Sequence, residues 1–407
     1  MFFHRTRGRD DRVATERSRL GLIILLSACT AVGPLSITMY IPSMPAIAVD
    51  LGATLSAVQG TLGLFLLGFG SAHLFFGPLS DRFGRRPTLL IGMALYGLAG
   101  FSCAQAADIG GLQVARFLQG VAACSGPLIA RAVVRDRFEG VEAIRVFSFI
   151  GIAMALSPIF GPLMGGALQV WLGWRAGFYV LAGFGFLMLI LCGVFLRESN
   201  VSPIERLSLR HLASTYGRLL RHRSYLSAVL VVGICFAGFL SLHNFSPFLL
   251  MDELGMRPDH FGLLIVFMAS SLATGSFLVG RLAKRFSDRT LVIAGILLSL
   301  LGGFLLILWS GELTIIYIVA PIMVFLLGFG VIMPPAMGMA LQFFPNTAGS
   351  ASAMLGFIQM GLAGLLNVTT GSLYDGTAAP LGWIISGCAG MALLIAYVGD
   401  KKGVDAK

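Results

Sequence analysis

The chain has 407 residues, of which 57% are hydrophobic and only 12% charged, with a mean hydropathy of +0.87. A water-soluble domain carries about 25% charged residues, so this composition cannot clothe a water-facing surface and excludes an ordinary soluble enzyme. The formal charge of +10 would point to nucleic acid in a soluble chain, but here its meaning depends on where the charges sit.

Residues 1–19 form a polar tail with six arginines, and the first apolar run starts at Leu20. That run is too long for a signal-peptide core and no small-residue cleavage site follows, so it reads as a retained span. A span needs about 20 apolar residues. The runs 20–43, 56–79, 88–106, 110–131, 143–169 and 175–196 meet this length in a first half, 20–196. After a polar linker, 197–225, come 226–250, 260–282, 290–309, 313–342, 347–372 and 380–399 in a second half, 226–399, with a short tail at 400–407. The tenth run holds Pro321, Pro334 and Pro335, which predict a kinked helix. The expectation is an all-α integral membrane protein with twelve transmembrane helices in two six-helix bundles.

An even number of spans puts both termini on one side. Of the 29 Lys and Arg residues, 26 fall on that side, Arg175 and Arg257 on the other, and Arg116 within a span. Basic loops stay in the cytoplasm, so both termini are expected there, in a bacterial inner membrane. The net charge is then a topology signal, with attraction to the lipid bilayer as its by-product and no nucleic acid as partner.

The halves echo each other. Residues 77–86 read GPLSDRFGRR and 280–289 read GRLAKRFSDR, each after the second span of its half. Parallel six-span repeats are one known transporter plan. In the first copy Gly77 allows close helix packing, Asp81 can pair with Arg85, Gly84 permits a left-handed turn and Pro87 suits the start of a helix. This segment resembles the loop between spans two and three of the major facilitator superfamily. The resemblance implies a gating latch formed by Gly77, Asp81, Gly84, Arg85 and Arg86, with Asp136 as a partner. The second copy departs from it at Lys284 and Ser287.

Arg116, in Ala115-Arg116-Phe117-Leu118-Gln119-Gly120, is the one basic residue within a span. A charge there needs a cavity or a partner, or must snorkel to an interface. The resemblance links it to proton coupling along the pathway. In span five, Ser157, Gly161 and Gly165 recur every fourth residue and give one small-residue face. With Pro158, Pro162 and Gly166 they resemble the superfamily's exporter signature, whose role is itself packing. The segments Met39–Pro45, Ser246–Phe248 and Gly349–Gln359 narrow the resemblance to the Bcr/CflA drug-resistance exporters.

That group commonly carries an aspartate where this chain has Thr38. None of the 19 acids falls centrally in a span, which argues against simple recognition of lipophilic cations and leaves Arg116 available to an anion. Thr38, Tyr40, His243, Asn244, Gln359 and Asn367 are candidate cavity contacts, each equally able to serve a helix–helix hydrogen bond. No P-loop, zinc spacing or nucleophile–histidine–acid set is present in the sequence, so no cofactor, metal or enzyme activity is expected. The reading is a monomeric secondary carrier exporting drugs or similar small amphipathic molecules against protons. The alternatives are a dedicated metabolite or siderophore carrier and a non-transporting membrane sensor.

Overall fold

The computed structural model describes residues 7–200, 209–311, 314–344 and 347–401. The ends of both tails, and linker positions 201–208 with Arg206, lie outside the described residues. Among the described residues, twelve helical segments are long and apolar enough to cross a bilayer. A helix satisfies its backbone groups internally, as lipid requires.

The first span is α1 (Arg7–Thr38), a 3₁₀ turn (Ile41–Ser43) and α2 (Met44–Asp50). Helical chain therefore runs past the expected end at 43. Pro42 and Pro45 lack the N–H that would continue α1, and Pro45 sits in the first turn of α2, where none is needed. Then come α3 (Leu55–Phe83) and α4 (Arg85–Ala104). The fourth span is α5 (Ile109–Ala123) and α6 (Ser125–Arg137). Its interruption at Cys124 precedes Pro127, which cannot donate to the Ala123 carbonyl. Next are α7 (Gly140–Leu172) and α8 (Trp174–Phe195). The linker contributes α9 (Leu209–Arg221).

The second half begins with α10 (Arg223–Pro247), three residues before the expected start, and its end unwinds into a π-helical turn, Phe248–Glu253. It continues with α11 (Pro258–Leu282), α12 (Asp288–Leu308), α13 (Ile315–Leu341), α14 (Ala348–Thr370) and α15 (Ala379–Lys401). Helix α13 passes through its three prolines without a break in the helical assignment.

Packing repeats between the halves. In the first, α1 lies on α7, α3 on α5 and α4 on α8; in the second, α10 lies on α14, α11 on α13 and α12 on α15. These are the same pairs of spans by order, so the two halves are related by a pseudo-twofold axis. Two pairings, α3 with α14 and α7 with α11, join the halves, and each maps onto the other under that symmetry. The α3–α14 seam is close because glycines line it. A Cβ at Gly63 would lie 2.8 Å from the Gly364 carbonyl oxygen, and one at Gly70 3.0 Å from the Gly361 nitrogen. Small residues are how helices approach in a membrane, where no hydrophobic effect drives them together.

Candidate functional site

Arg85, Asp81 and Asp136, expected to act as a latch, meet at the end of the bundle that carries the basic loops. Gly84 has φ +97° between α3 and α4, a left-handed value that side-chain-bearing residues rarely adopt. The turn brings Arg85 back over the end of α3. Its Nη1 donates to the Ser80 hydroxyl at 2.7 Å and to the Asp81 carboxylate, and its Nε donates to Asp136 Oδ2 at 2.9 Å. One guanidinium thus ties α3, α4 and α6. Arg86 Nη2 donates to the Gly193 carbonyl at 2.6 Å, tying α4 to α8.

The motif alone does not reveal the third member of this cluster, the chain leaving α8. Glu198 accepts the backbone N–H groups of Arg85 at 2.9 Å and Arg86 at 3.0 Å, so it caps α4 from 112 residues away. Ser199 Oγ donates to Asp136 at 3.1 Å and Asn200 Nδ2 to the Asp81 carbonyl at 2.8 Å. Burial acts to raise the Glu198 pKa, but the N–H groups of Asn200, Arg85, Arg86 and Ser199 outweigh it and hold the carboxyl below the usual glutamate range. A lowered folded value means the cap stabilises fully above the unfolded pKa and fades as pH falls through the folded one. Glu198→Gln is therefore expected to lower Tm most at neutral pH. Thermal melts should show the gap to wild type closing as the medium is acidified; a pH-independent gap would rule out a charged cap.

Arg116 sits elsewhere, fully buried on α5. Its Nη1 donates to Gln119 Oε1 at 2.7 Å and its Nη2 to the Ser36 carbonyl at 3.3 Å. The guanidinium lies over three rings, with its carbon 4.3 Å from the centroid of Phe65, 4.7 Å from Tyr40 and 5.7 Å from Phe178. Among the described residues no carboxylate pairs with it. Cation–π attraction from a desolvated cage, about 2 kcal/mol for a good pair, takes the place of an ion pair. Arg116 does not snorkel; fully buried among these rings, it is closed to an anion in this conformation.

The small-residue face of span five splits between two neighbours. Ser157 lies beside α1, where its carbonyl accepts the Thr38 hydroxyl at 3.2 Å. A Cβ at Gly161 would strike Thr38 Oγ1 at 1.9 Å, and one at Gly165 the Met39 carbonyl oxygen at 2.1 Å. Gly166 faces the other half, with its Cβ position 2.3 Å from the Pro258 carbonyl oxygen of α11. Pro162 meets Gly262 of α11 in the same way, at 2.6 Å. Thr38 is thus a packing residue against span five, with its hydroxyl already engaged by Pro34 and Ser157 carbonyls.

Tyr40 is buried and hydrogen-bonded to Thr61 at 2.6 Å. Asn244 and Asn367 are fully buried at the end opposite the basic loops. There Gln59, which the sequence reading had not singled out, donates from α3 to the Asn244 carbonyl at 3.1 Å across the halves. Asn244 Nδ2 reaches the Asn367 carbonyl at 3.4 Å. The Gln59 bond closes this end between the halves, the Asn244–Asn367 bond ties α10 to α14 within the second half, and none of the three lines the cavity described below. His243 and Gln359 keep 6% and 8% exposure, small enough that neither presents a surface in this conformation. Of the six candidate cavity contacts, therefore, the structure brings Asn244 and Asn367 together with Gln59 and leaves the others in separate helix contacts.

The cavity between the halves lies at the basic end. It has a volume of about 690 Å³, and its walls include His73, Asp81, Arg131, Arg135, Tyr216 and Ser350, drawn from α3, α6, α9 and α14. Tyr216 of the linker helix donates to the Leu74 carbonyl at 3.2 Å, fixing α9 as part of the wall. His73 Nδ1 lies 3.0 Å from the Phe69 carbonyl. A carbonyl only accepts, so Nδ1 carries the proton of the neutral ring and Nε2 holds the lone pair. That Nε2 faces Gly356 of α14, where a Cβ would come within 2.6 Å. The molecule thus has a cavity reaching one surface and a sealed opposite end.

The Major Facilitator Superfamily profile matches residues 26–368. The chain belongs to that superfamily. It is 33% identical to the "Uncharacterized MFS-type transporter YdgK" of Bacillus subtilis (strain 168), over 91% of this chain and 93% of the relative. It is 30% identical to "Multidrug resistance protein D" of Escherichia coli (strain K12), over 84% and 86%. It is 26% identical to the "Bicyclomycin resistance protein homolog" of Haemophilus influenzae (strain ATCC 51907 / DSM 11121 / KW20 / Rd), over 94% and 96%. The Bcr/CflA resemblance is thereby borne out. A solved D-xylose-proton symporter superposes with a TM-score of 0.74 at 17% identity, covering 94% of this chain and 97% of that one. At that identity the likeness shows the superfamily fold.

Proposed function

We propose that the protein is a proton-linked exporter of drugs or similar small amphipathic molecules, working by alternating access across a bacterial cytoplasmic membrane. The basic end faces the cytoplasm, where the positive-inside rule puts it. The observation that carries the reading is the cavity between two pseudo-symmetric halves, reaching one face while glycine contacts and buried amides seal the other. That is one of the two states an alternating carrier needs. The relatives named for multidrug and bicyclomycin resistance support drugs as cargo.

Arg116 cannot release a proton at any working pH, so in this reading it supplies a fixed charge. The proton falls to His73, the imidazole on the cavity wall, because an imidazole can give up and take back a proton where a guanidinium cannot. Cells producing the protein should accumulate less of some antibiotic in a broad panel, and a protonophore should remove the difference. His73→Gln should remove the protonophore-sensitive part while leaving the protein in the membrane. If no compound in the panel shows reduced accumulation, the exporter reading fails. Uptake driven by an inward proton gradient would favour an importing metabolite carrier.

A further inference from the structure

Positive charge outweighs negative on the cavity wall at the basic end, where Arg85, Arg131 and Arg135 stand against Asp81. Arg131 and Arg135 stand one turn apart on α6 and both line it. Among the described residues neither makes an ion pair or a side-chain hydrogen bond. Arg135 reaches across the gap to the other half, where its Nη1 lies 3.7 Å from the Cβ position of Gly349. Gly349 is in the first turn of α14, a 23-residue helix whose N-cap, Thr347, makes no side-chain cap hydrogen bond. A helix N-terminus is itself a partial positive charge, roughly half a unit. Asp81, the acid on the cavity wall, is already bound to Arg85, and Asp136 is held by Arg85 and Ser199. Two guanidinium groups that make no ion pair among the described residues and a helix start thus face one space, while Asp81 and Asp136 are both engaged by Arg85. Leu128, Phe147, Leu212 and Leu341 supply apolar walls beside them.

We propose that this cavity is a recognition site for an amphipathic organic anion, with its carboxylate or sulfonate between Arg131, Arg135 and the start of α14 and its apolar body against the leucines and Phe147. The inference rests on the exporter reading and names a substrate class for it. It also fits the absence of any acid central in a span, since a carboxylate in the pathway would repel such a cargo. Planar guanidinium groups match carboxylate geometry and bind it with charge-assisted hydrogen bonds. Closing the cavity would carry the anion away from the basic end toward the seal.

Nalidixic acid and its neutral methyl ester are suitable probes, because they share one ring system and differ only in the carboxylate charge and the ester methyl. Binding to the full chain in phosphatidylcholine nanodiscs, followed by microscale thermophoresis, should favour the acid over the ester by at least tenfold. Arg131→Gln and Arg135→Gln should each weaken the acid by about tenfold or more, the value of one charge-assisted contact, and leave the ester unchanged. Arg131→Lys, which keeps the charge but not the planar fork, should bind the acid with an affinity between wild type and Arg131→Gln. Equal affinity for acid and ester, or acid binding untouched by both glutamine variants, overturns the proposal. Should a variant fail to fold, wild type decides the matter: the acid's affinity must fall with added salt while the ester's does not, and a salt-independent acid overturns it. Loss of acid binding when phosphatidylglycerol replaces phosphatidylcholine would assign the site to a lipid headgroup and likewise overturn the cargo assignment. Reduced accumulation of neutral chloramphenicol in cells separates the two readings. If it persists while anion binding fails, the exporter stands and this inference falls.

Discussion

Arg116→Met is expected to abolish efflux from reconstituted vesicles while leaving the melting temperature of the purified protein unchanged or raised. The two halves of this expectation follow from the same geometry. The guanidinium is fully buried and no acid among the described residues pairs with it. Its desolvation penalty of several kcal/mol is offset by two hydrogen bonds and an aromatic cage. A methionine of similar length fills the same space against Phe65, Tyr40 and Phe178 and removes that penalty. The hydrogen bonds it loses leave the Ser36 carbonyl without its guanidinium donor and Gln119 Oε1 with only the weak Cys103 thiol donor at 3.7 Å, at about 1–3 kcal/mol each. The terms nearly cancel, so folding should survive. A buried charge kept at such a balance is retained for what it does. It links α5 to α1, α3 and α8, the spans that must move as one body when the cavity closes. Arg116→Ala is the wrong test taken alone, because it adds a cavity costing about 2–5 kcal/mol and confounds folding with transport. Wild-type flux in the methionine variant would reduce Arg116 to a packing residue.

The parts of this molecule that could be read from sequence are those where neighbours in the chain are neighbours in space. Hydropathy located twelve spans because a bilayer demands unbroken apolar helix. It misplaced the ends of the first and seventh because helical chain continues through Ile47 and beyond Pro247 in residues that are buried against other helices. The Asp81–Arg85 contact spans a single turn and its motif showed it. Glu198, Ser199 and Asn200 complete the same cluster from the far side of α8, and nothing local marks them. Polarity flagged Asn244 and Asn367 but could not tell a pore wall from a seal, since either site presents an amide within an apolar helix. Gln59, the partner of Asn244 across the halves, lies four residues into its helix, where a polar residue reads as an ordinary span end. Arg131 and Arg135 entered the sequence reading only as topology charges. Their lack of an acid partner is a property of the assembled bundle, although their spacing of four residues already put them on one helix face.

Gly166→Val is the second change expected to have a large effect, and it should act on the conformational equilibrium rather than on the fold. The glycine faces the Pro258 carbonyl oxygen and the Asp259 Cα, at 2.3 and 3.3 Å from its Cβ position. Both are backbone atoms of α11, so no rotamer change can clear the overlap. The contact lies between the halves, and they can escape it by parting at the sealed end. Overpacking of this kind costs about 1–3 kcal/mol, enough to shift a two-state equilibrium roughly tenfold to a hundredfold. The cavity end should then close at the expense of the seal, and turnover should fall by a similar factor because one of the two states is depleted. Ser246→Cys is a reporter, since Ser246 is fully buried beside the seal. A membrane-impermeant thiol reagent should label it readily in the Gly166→Val background and slowly in an otherwise unchanged chain. Gly165→Val makes the contrast. Its overlap is with the Met39 carbonyl just after α1, inside one half, and parting the halves gives no relief. That variant should lose melting temperature and yield instead of gaining thiol reactivity. If Gly166→Val transports normally and Ser246→Cys stays protected, the α7–α11 contact is not what holds the far end shut, and the amides of Gln59 and Asn244 must do so alone.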